Sequence, residues 1–142
     1  MKRLLQIAVM LALVSGATYV ARGFSGEAKH LADVFAGAVA HKGFSLVDVF
    51  SPCVTYNKIN TYEYFRKRNY KLDSEPGYDV TNVELALEKS FEWGDRIPIG
   101  VFFQSEQPIY EDQEVALQKG PLVNQKLGLN KETFDELMEE FM

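Results

Sequence analysis

Between positions 17 and 50 the chain switches between two hydrophobic periods, and this alternation restricts the possible folds more than any other feature of the sequence. Residues 17–21 (Ala-Thr-Tyr-Val-Ala) read as a strand, followed by the loop Arg22-Gly23-Phe24-Ser25-Gly26, whose Ser25 can cap a helix from Gly26 to about Lys42. Leu31, Val34, Phe35, Ala38 and Val39 recur at i, i+3, i+4, i+7 and i+8, the stripe of a helix packed on one side. Gly43 supplies a left-handed stop. Residues 44–50 then form a second strand, apolar except for Ser45 and Asp48. Strand, helix and strand joined this closely predict two parallel strands with a right-handed crossover, and hence an α/β fold.

The segment ahead of them has two readings. Met1-Lys2-Arg3 followed by residues 4–14, apolar except for Gln6, and the small residues Ser15-Gly16-Ala17 has the layout of a secretory signal peptide. It is too short to cross a membrane. The same run suits a buried helix that stops at Gly16, and length does not choose between the two.

With 142 residues, 46% of them hydrophobic, the chain can hold a core without disulfides. Its single cysteine, Cys53, builds no disulfide framework and fits a reducing cytoplasm. Residues 1–71 carry ten Lys/Arg and four Asp/Glu, a net of +6, whereas residues 72–142 carry five and sixteen, a net of −11. Such polarity argues against nucleic acid as a partner of the whole chain, because a binding face needs a sustained basic stripe.

Ser51-Pro52-Cys53-Val54-Thr55 follows the second strand, where open parallel sheets place their functional loops. The plainer alternative makes Cys53 a small buried apolar residue. In residues 59–71, Tyr62, Tyr64, Phe65 and Tyr70 interleave with Arg66, Lys67, Arg68 and Lys71, a pattern suited to packing with snorkelling cations. A turn-rich linker at 73–79 leads to a capping box, Thr81 with Glu84, and a helix through Val83, Leu87 and Phe91 to Trp93. Residues 97–103 read as a strand, with Pro98 placing it at an edge or a start. Residues 104–129 read as an extended arm, and Asn130 caps a closing helix striped by Phe134, Leu137, Met138 and Phe141.

No phosphate loop, Cys-x-x-Cys, His-Glu-x-x-His or Gly-x-Ser-x-Gly is present. His30 and His41 stand about three turns apart on the first crossover helix, too far to share a metal. Glu136, Glu139 and Glu140 form a solvated face. The residues by themselves define no catalytic or cofactor-binding set.

The runs 16–26 (Gly-Ala-Thr-Tyr-Val-Ala-Arg-Gly-Phe-Ser-Gly) and 41–57 (His-Lys-Gly-Phe-Ser-Leu-Val-Asp-Val-Phe-Ser-Pro-Cys-Val-Thr-Tyr-Asn) resemble the C-terminal half of the beta subunit of 2-oxoacid:ferredoxin oxidoreductases. Residues 61–68 and 91–100 fit the family's C-terminal extension. The resemblance implies that residues 1–58 are the C-terminal portion of a thiamine-diphosphate-binding parallel-sheet domain, helix-strand-helix-strand, and that 59–142 are a mixed, acidic extension. It favours the buried helix over the signal peptide for residues 7–16.

It further implies coenzyme A-dependent oxidative decarboxylation of a 2-oxoacid, with 2-oxoglutarate favoured. Thiamine diphosphate with Mg2+ and a 4Fe-4S cluster would serve as cofactors and ferredoxin as acceptor. In the family a Ser-Pro-Cys loop carries the fourth cluster cysteine, and Cys53 occupies that position. The other three cysteines, and the Asp-Gly and Asn motif for magnesium and the diphosphate, lie upstream of the matching region and are absent here. The implied partners are therefore an N-terminal half of the beta subunit, an alpha subunit and ferredoxin, with no membrane involved. The alternative is a non-catalytic remnant, or a partner-binding module docking through its closing helix.

Overall fold

In the computed structural model, which describes residues 4–126, 128 and 130–140, the N-terminal apolar run forms helix α1, Leu4–Val14. Its Val9, Ala12 and Leu13 are buried against Val20, Ala86 and Phe102, the packing expected of a buried helix. Strand β1, Tyr19–Phe24, is buried along its whole length. It extends through Arg22, Gly23 and Phe24, three residues that read as loop from local chemistry. Helix α2, Ala28–Ala40, leads to strand β2, Ser45–Phe50, which pairs parallel with β1 from Tyr19↔Ser45 to Phe24↔Phe50.

Alternation along the strands puts the two helices on opposite faces. Val20 and Leu46 turn toward α1, whereas Tyr19, Ala21 and Val47 turn toward Val34 and Ala38 of α2. Gly23 lies on the α2 face because nothing larger fits there: a Cβ would stand 2.3 Å from Leu31 Cδ1. Ser25 does not cap α2, which starts at Ala28 without a side-chain cap.

Helix α3, Tyr62–Arg66, is capped by Thr61 and leads into strand β3, Asn69–Lys71. Helix α4, Val83–Ser90, takes its cap from Asn82, whose Oδ1 accepts from the N–H groups of Glu84 and Leu85. Thr81 donates instead to Asp79, so the capping box drawn from Thr81 and Glu84 does not form, and the helix stops short of Trp93.

Strand β4, Ile97–Gln104, lies between β1 and β3, in the order β2-β1-β4-β3. It is antiparallel to β1 and parallel to β3, so the sheet is mixed. Pro98 sits near the strand start, outside the stretch of β4 that pairs with β1, which is how a central strand tolerates it. The sheet thus runs past residue 58, and the first of two compact units extends over residues 1–107.

A polar network ties β3 to the end of α4. Tyr70 donates to Glu92, Lys89 pairs with Glu92 and Glu75, and Arg96 pairs with Glu75 while lying over the Tyr70 ring. Burial, then the bond to Glu92, pushes the Tyr70 hydroxyl up to about 12. The folded value is raised above the ordinary tyrosine value of about 10, so this group's contribution is full below about pH 10 and is lost as pH rises through 12. Tyr70→Phe is expected to weaken the chain by about 1 kcal/mol at neutral pH through the lost hydrogen bond. It should also blunt the alkaline fall in the urea midpoint, which comparing the variant and the parent at pH 8 and pH 11 would measure. Tyr78, also raised by burial, keeps the remainder of that fall.

The second unit, residues 108–142, holds helix α5, Tyr110–Gln113, two 3-10 turns and helix α6, Lys131–Glu140. Asn130 caps α6 through Thr133 N–H. Phe134, Leu137 and Met138 form the expected stripe and are exposed, while Phe141 lies outside the described residues. Among the described residues of this unit none is buried. Among the described residues no helix is long and apolar enough to cross a membrane.

Candidate functional site

The parallel strands β1 and β2 end side by side, and the two loops that leave them are stitched together. Ser25 N–H donates to the Phe50 carbonyl, continuing the ladder one step beyond the strands. Tyr62, delivered by α3, then bridges both loops. The Ser25 hydroxyl donates to the Tyr62 hydroxyl at 3.4 Å, and Ser51 acts on the same phenol from the other loop. Together, Ser25 first, they hold the Tyr62 phenol below its ordinary range. Gly26 makes room for this arrangement, since a Cβ there would lie 2.4 Å from the Phe24 ring and 2.9 Å from the Tyr62 ring. Ser25, which a local reading uses as a helix cap, is engaged in this cross-loop contact instead.

Beneath the loops lies an aromatic box. Phe50 stacks on Phe24 at 4.9 Å between centroids and meets Phe65 at 5.0 Å and Trp93 at 5.7 Å. Pro52 is buried, so the backbone entering Cys53 is held on both sides, by the ring of Phe50 and by a proline with fixed φ. Cys53 itself is exposed and free, unlike the small buried residue that its lone occurrence suggests by default.

One layer further in, the side chain of Arg22 is fully buried and its Nε donates to Asp48 Oδ2 at 2.9 Å. Its guanidinium lies 5.3 Å from the Trp93 ring centroid and 5.2 Å from that of Phe102. Burial pulls Arg22 below its ordinary value, and the hydrogen bond and charge of Asp48 push it back. Arg22 and Asp48 are register partners of the parallel pair, so this buried ion pair ties β1 to β2 directly below the loops.

The site offers one thiol. Among the described residues no group of three or more His, Cys, Asp or Glu side chains is placed to hold a metal ion. His41 ends α2, with its ring bonded to Thr18 Oγ1 at 2.8 Å, and His30 lines a hollow of about 500 Å³ beside Glu27, Asp33 and Lys71. In the basic segment, Arg68 folds onto Tyr64, 3.7 Å from its ring centroid, and Arg66 lies over Tyr62. These aromatic residues pack against the cations beside them.

Residues 53–119 match the family model for the C-terminal region of the pyruvate ferredoxin oxidoreductase beta subunit. A 2-oxoacid:ferredoxin oxidoreductase subunit beta of a Sulfolobus species is 47% identical over 74% of this chain and 38% of its own length. The Saccharolobus solfataricus subunit of the same name is 44% identical over 76% of this chain and again 38% of its own. A solved 2-oxoglutarate:ferredoxin oxidoreductase from Magnetococcus marinus, with 2-oxoglutarate, coenzyme A and succinyl-CoA bound, superposes with a TM-score of 0.72 at 28% identity. It covers 91% of this chain and 43% of its own.

The chain matches the C-terminal part of the beta subunit of 2-oxoacid:ferredoxin oxidoreductases. It spans less than two fifths of the length of these curated relatives. The family model begins at Cys53 itself, so the stitched loops stand where β2 hands over to the region that the model describes. Tyr62, visible in the sequence only as one aromatic among cations, lies inside that region and reaches back across the boundary to Ser25.

Proposed function

We propose that this chain serves as the C-terminal portion of a 2-oxoacid:ferredoxin oxidoreductase beta subunit. In this reading residues 1–58 complete the thiamine-diphosphate domain and residues 59–142 form its extension. The complete enzyme would convert a 2-oxoacid, coenzyme A and two oxidised ferredoxins into an acyl-CoA, carbon dioxide, a proton and two ferredoxins each reduced by one electron. The 2-oxoglutarate bound in the Magnetococcus marinus neighbour favours that substrate. The diphosphate cofactor and its Mg2+ would meet groups outside this chain.

The observation that carries the reading is Cys53: an exposed, unpaired thiol following a buried proline at the carboxyl end of a parallel strand, within a chain so similar to these subunits. A single thiol does not hold a 4Fe-4S cluster, which takes four such ligands, so the donor set here fits one corner of it. The cluster, when held, carries electrons one at a time. The chain's own share is positional. Pro52 and Phe50, both buried, hold the backbone that leads into Cys53, and Ser25 and Tyr62 bond across the neighbouring loops. A reducing cytoplasm suits the free thiol.

The test is anaerobic reconstitution with the N-terminal portion of the beta subunit and the alpha subunit, recording visible and paramagnetic spectra. Cys53→Ser is expected to alter or abolish the cluster signal while the chain still folds, because an exposed Cys→Ser change is worth only about 0.5 kcal/mol. An unchanged signal refutes the ligand role. A second reading, a cofactor-free binding module, draws on the fact that residues 1–107 carry a core of their own, with Val20, Ile99 and Phe102 fully buried. A stable species that binds neither thiamine diphosphate nor iron under reconstitution would favour it.

A further inference from the structure

We propose that the loop carrying Cys53 is a docking surface for the electron acceptor, and that it fits a small carrier protein presenting an acidic face. This rests on the reading of the chain as a beta-subunit portion and names where ferredoxin would meet it.

The loop is tied at its base and bonded within. It leaves β2 at Phe50, whose carbonyl accepts from Ser25 N–H, and returns at Tyr62, whose hydroxyl accepts from the Ser25 hydroxyl. Both ends of residues 51–61 are therefore fastened to one serine, the closed form of a compact surface loop. Inside it, Asn57 N–H donates to the Cys53 carbonyl at 2.9 Å. The Asn57 side-chain oxygen accepts from the N–H groups of Ile59 and Asn60, and Lys58 Nζ donates to the Val54 carbonyl. These bonds satisfy the backbone and leave the apolar side chains outside. Tyr56, Ile59 and Val54 are 90%, 81% and 55% exposed. Three large apolar groups held in water so close to the thiol mark a contact surface.

Charge selects the partner. Residues 51–68 carry four Lys/Arg and one Glu, a net of +3, on a chain whose net charge is −5. Lys58, Arg66 and Lys67 are exposed, and Arg66 Nη2 donates to the Gly26 carbonyl at 3.4 Å, which keeps α3 beside the base of the loop. Glu63, the one acid, is paired with Lys67. An apolar centre with a cationic rim suits a brief encounter with an acidic protein, in which charge speeds the approach and a small contact sets the register. An electron carrier is the class of protein that needs such an encounter at this place. Each meeting passes one electron, oxidising the enzyme and reducing the carrier, with no bond made and no proton moved. The carrier must come close to the thiol proposed to hold the cluster, and must leave again. The relatives' names supply such a carrier, ferredoxin.

The experiment uses the anaerobic assembly with the N-terminal portion of the beta subunit and the alpha subunit, and follows 2-oxoacid-dependent reduction of ferredoxin and, separately, of saturating methyl viologen. Lys58→Glu with Lys67→Glu is expected to lower kcat/KM for ferredoxin about 10-fold at low salt, through KM, and to abolish the parent's decline with rising salt. The methyl viologen rate should not change. Tyr56→Ala should raise the ferredoxin KM and leave the salt dependence intact. A ferredoxin kcat/KM within about twofold of the parent in both variants, with methyl viologen reduction intact, overturns the docking surface and leaves the beta-subunit reading standing. If the variants instead fail to join the other portions, the loop is a subunit interface and the proposal is overturned. If the parent assembly reduces neither acceptor, the beta-subunit reading itself fails, and the docking surface with it.

Discussion

Asp48→Asn is expected to destabilise the 1–107 unit by about 3 kcal/mol, the low end of the range for breaking a buried ion pair. The low end applies because the Asp48 side chain retains 11% exposure, whereas that of Arg22 has none. Once the carboxylate charge is gone, the guanidinium keeps its burial penalty and its contacts with the Trp93 and Phe102 rings, but loses a charge that offset part of the penalty. Urea unfolding followed by the fluorescence of Trp93, the single tryptophan, reads the loss where it occurs. Removing both charges together, as Arg22→Met with Asp48→Leu, should recover most of the stability, because an apolar pair of similar volume replaces the ion pair at little net penalty. An Asp48→Asn midpoint within about 0.5 kcal/mol of the parent would show that the pair contributes no more than a surface salt bridge.

Phe50→Ala is the second large effect, about 4 kcal/mol. The ring is 4% exposed and touches Phe24, Phe65 and Trp93, so its removal opens a cavity bounded by three other rings that cannot all close in. Phe50→Leu keeps most of the volume and forfeits mainly the ring-ring terms, for a loss of about 1.5 kcal/mol. Thermal melts should rank parent, Leu, Ala in falling order with that spacing. Equal losses for the two variants would mean that ring geometry, and not the filled volume, is what Phe50 contributes.

Much of the β1-α2-β2 unit was legible because its signals are local. The stripe from Leu31 to Val39 and the apolar run of 44–50 repeat within a few residues, and the structure places α2 and β2 within two residues of the expected 26–42 and 44–50. What was not legible depended on distant partners. Ser25 looks like a helix cap because the sequence shows no reason for its hydroxyl to prefer Tyr62, 37 positions away. Arg22 looks like a loop residue because a buried guanidinium is intelligible only beside Asp48, 26 positions on. The capping box at Thr81 failed for a nearer reason, since Asp79 takes the Thr81 hydroxyl and Asn82 caps one residue later. The central place of β4 could not be read at all, because pairing order is not written in the pattern of a single strand.

That central place has a consequence for the order of assembly. The β1-β2 pair closes through a short crossover, whereas β4 reaches its place beside β1 only after about 80 further residues have been made. At a synthesis rate of about 5–20 residues per second, one side of β1 goes unpaired for roughly 4–16 s in a nascent chain. Contacts so distant in sequence also form late in refolding, since their loops must close before the pairing repays them. The strand at the heart of the finished sheet therefore spends its first seconds as an edge, and that interval is when this polypeptide is most exposed to mispairing.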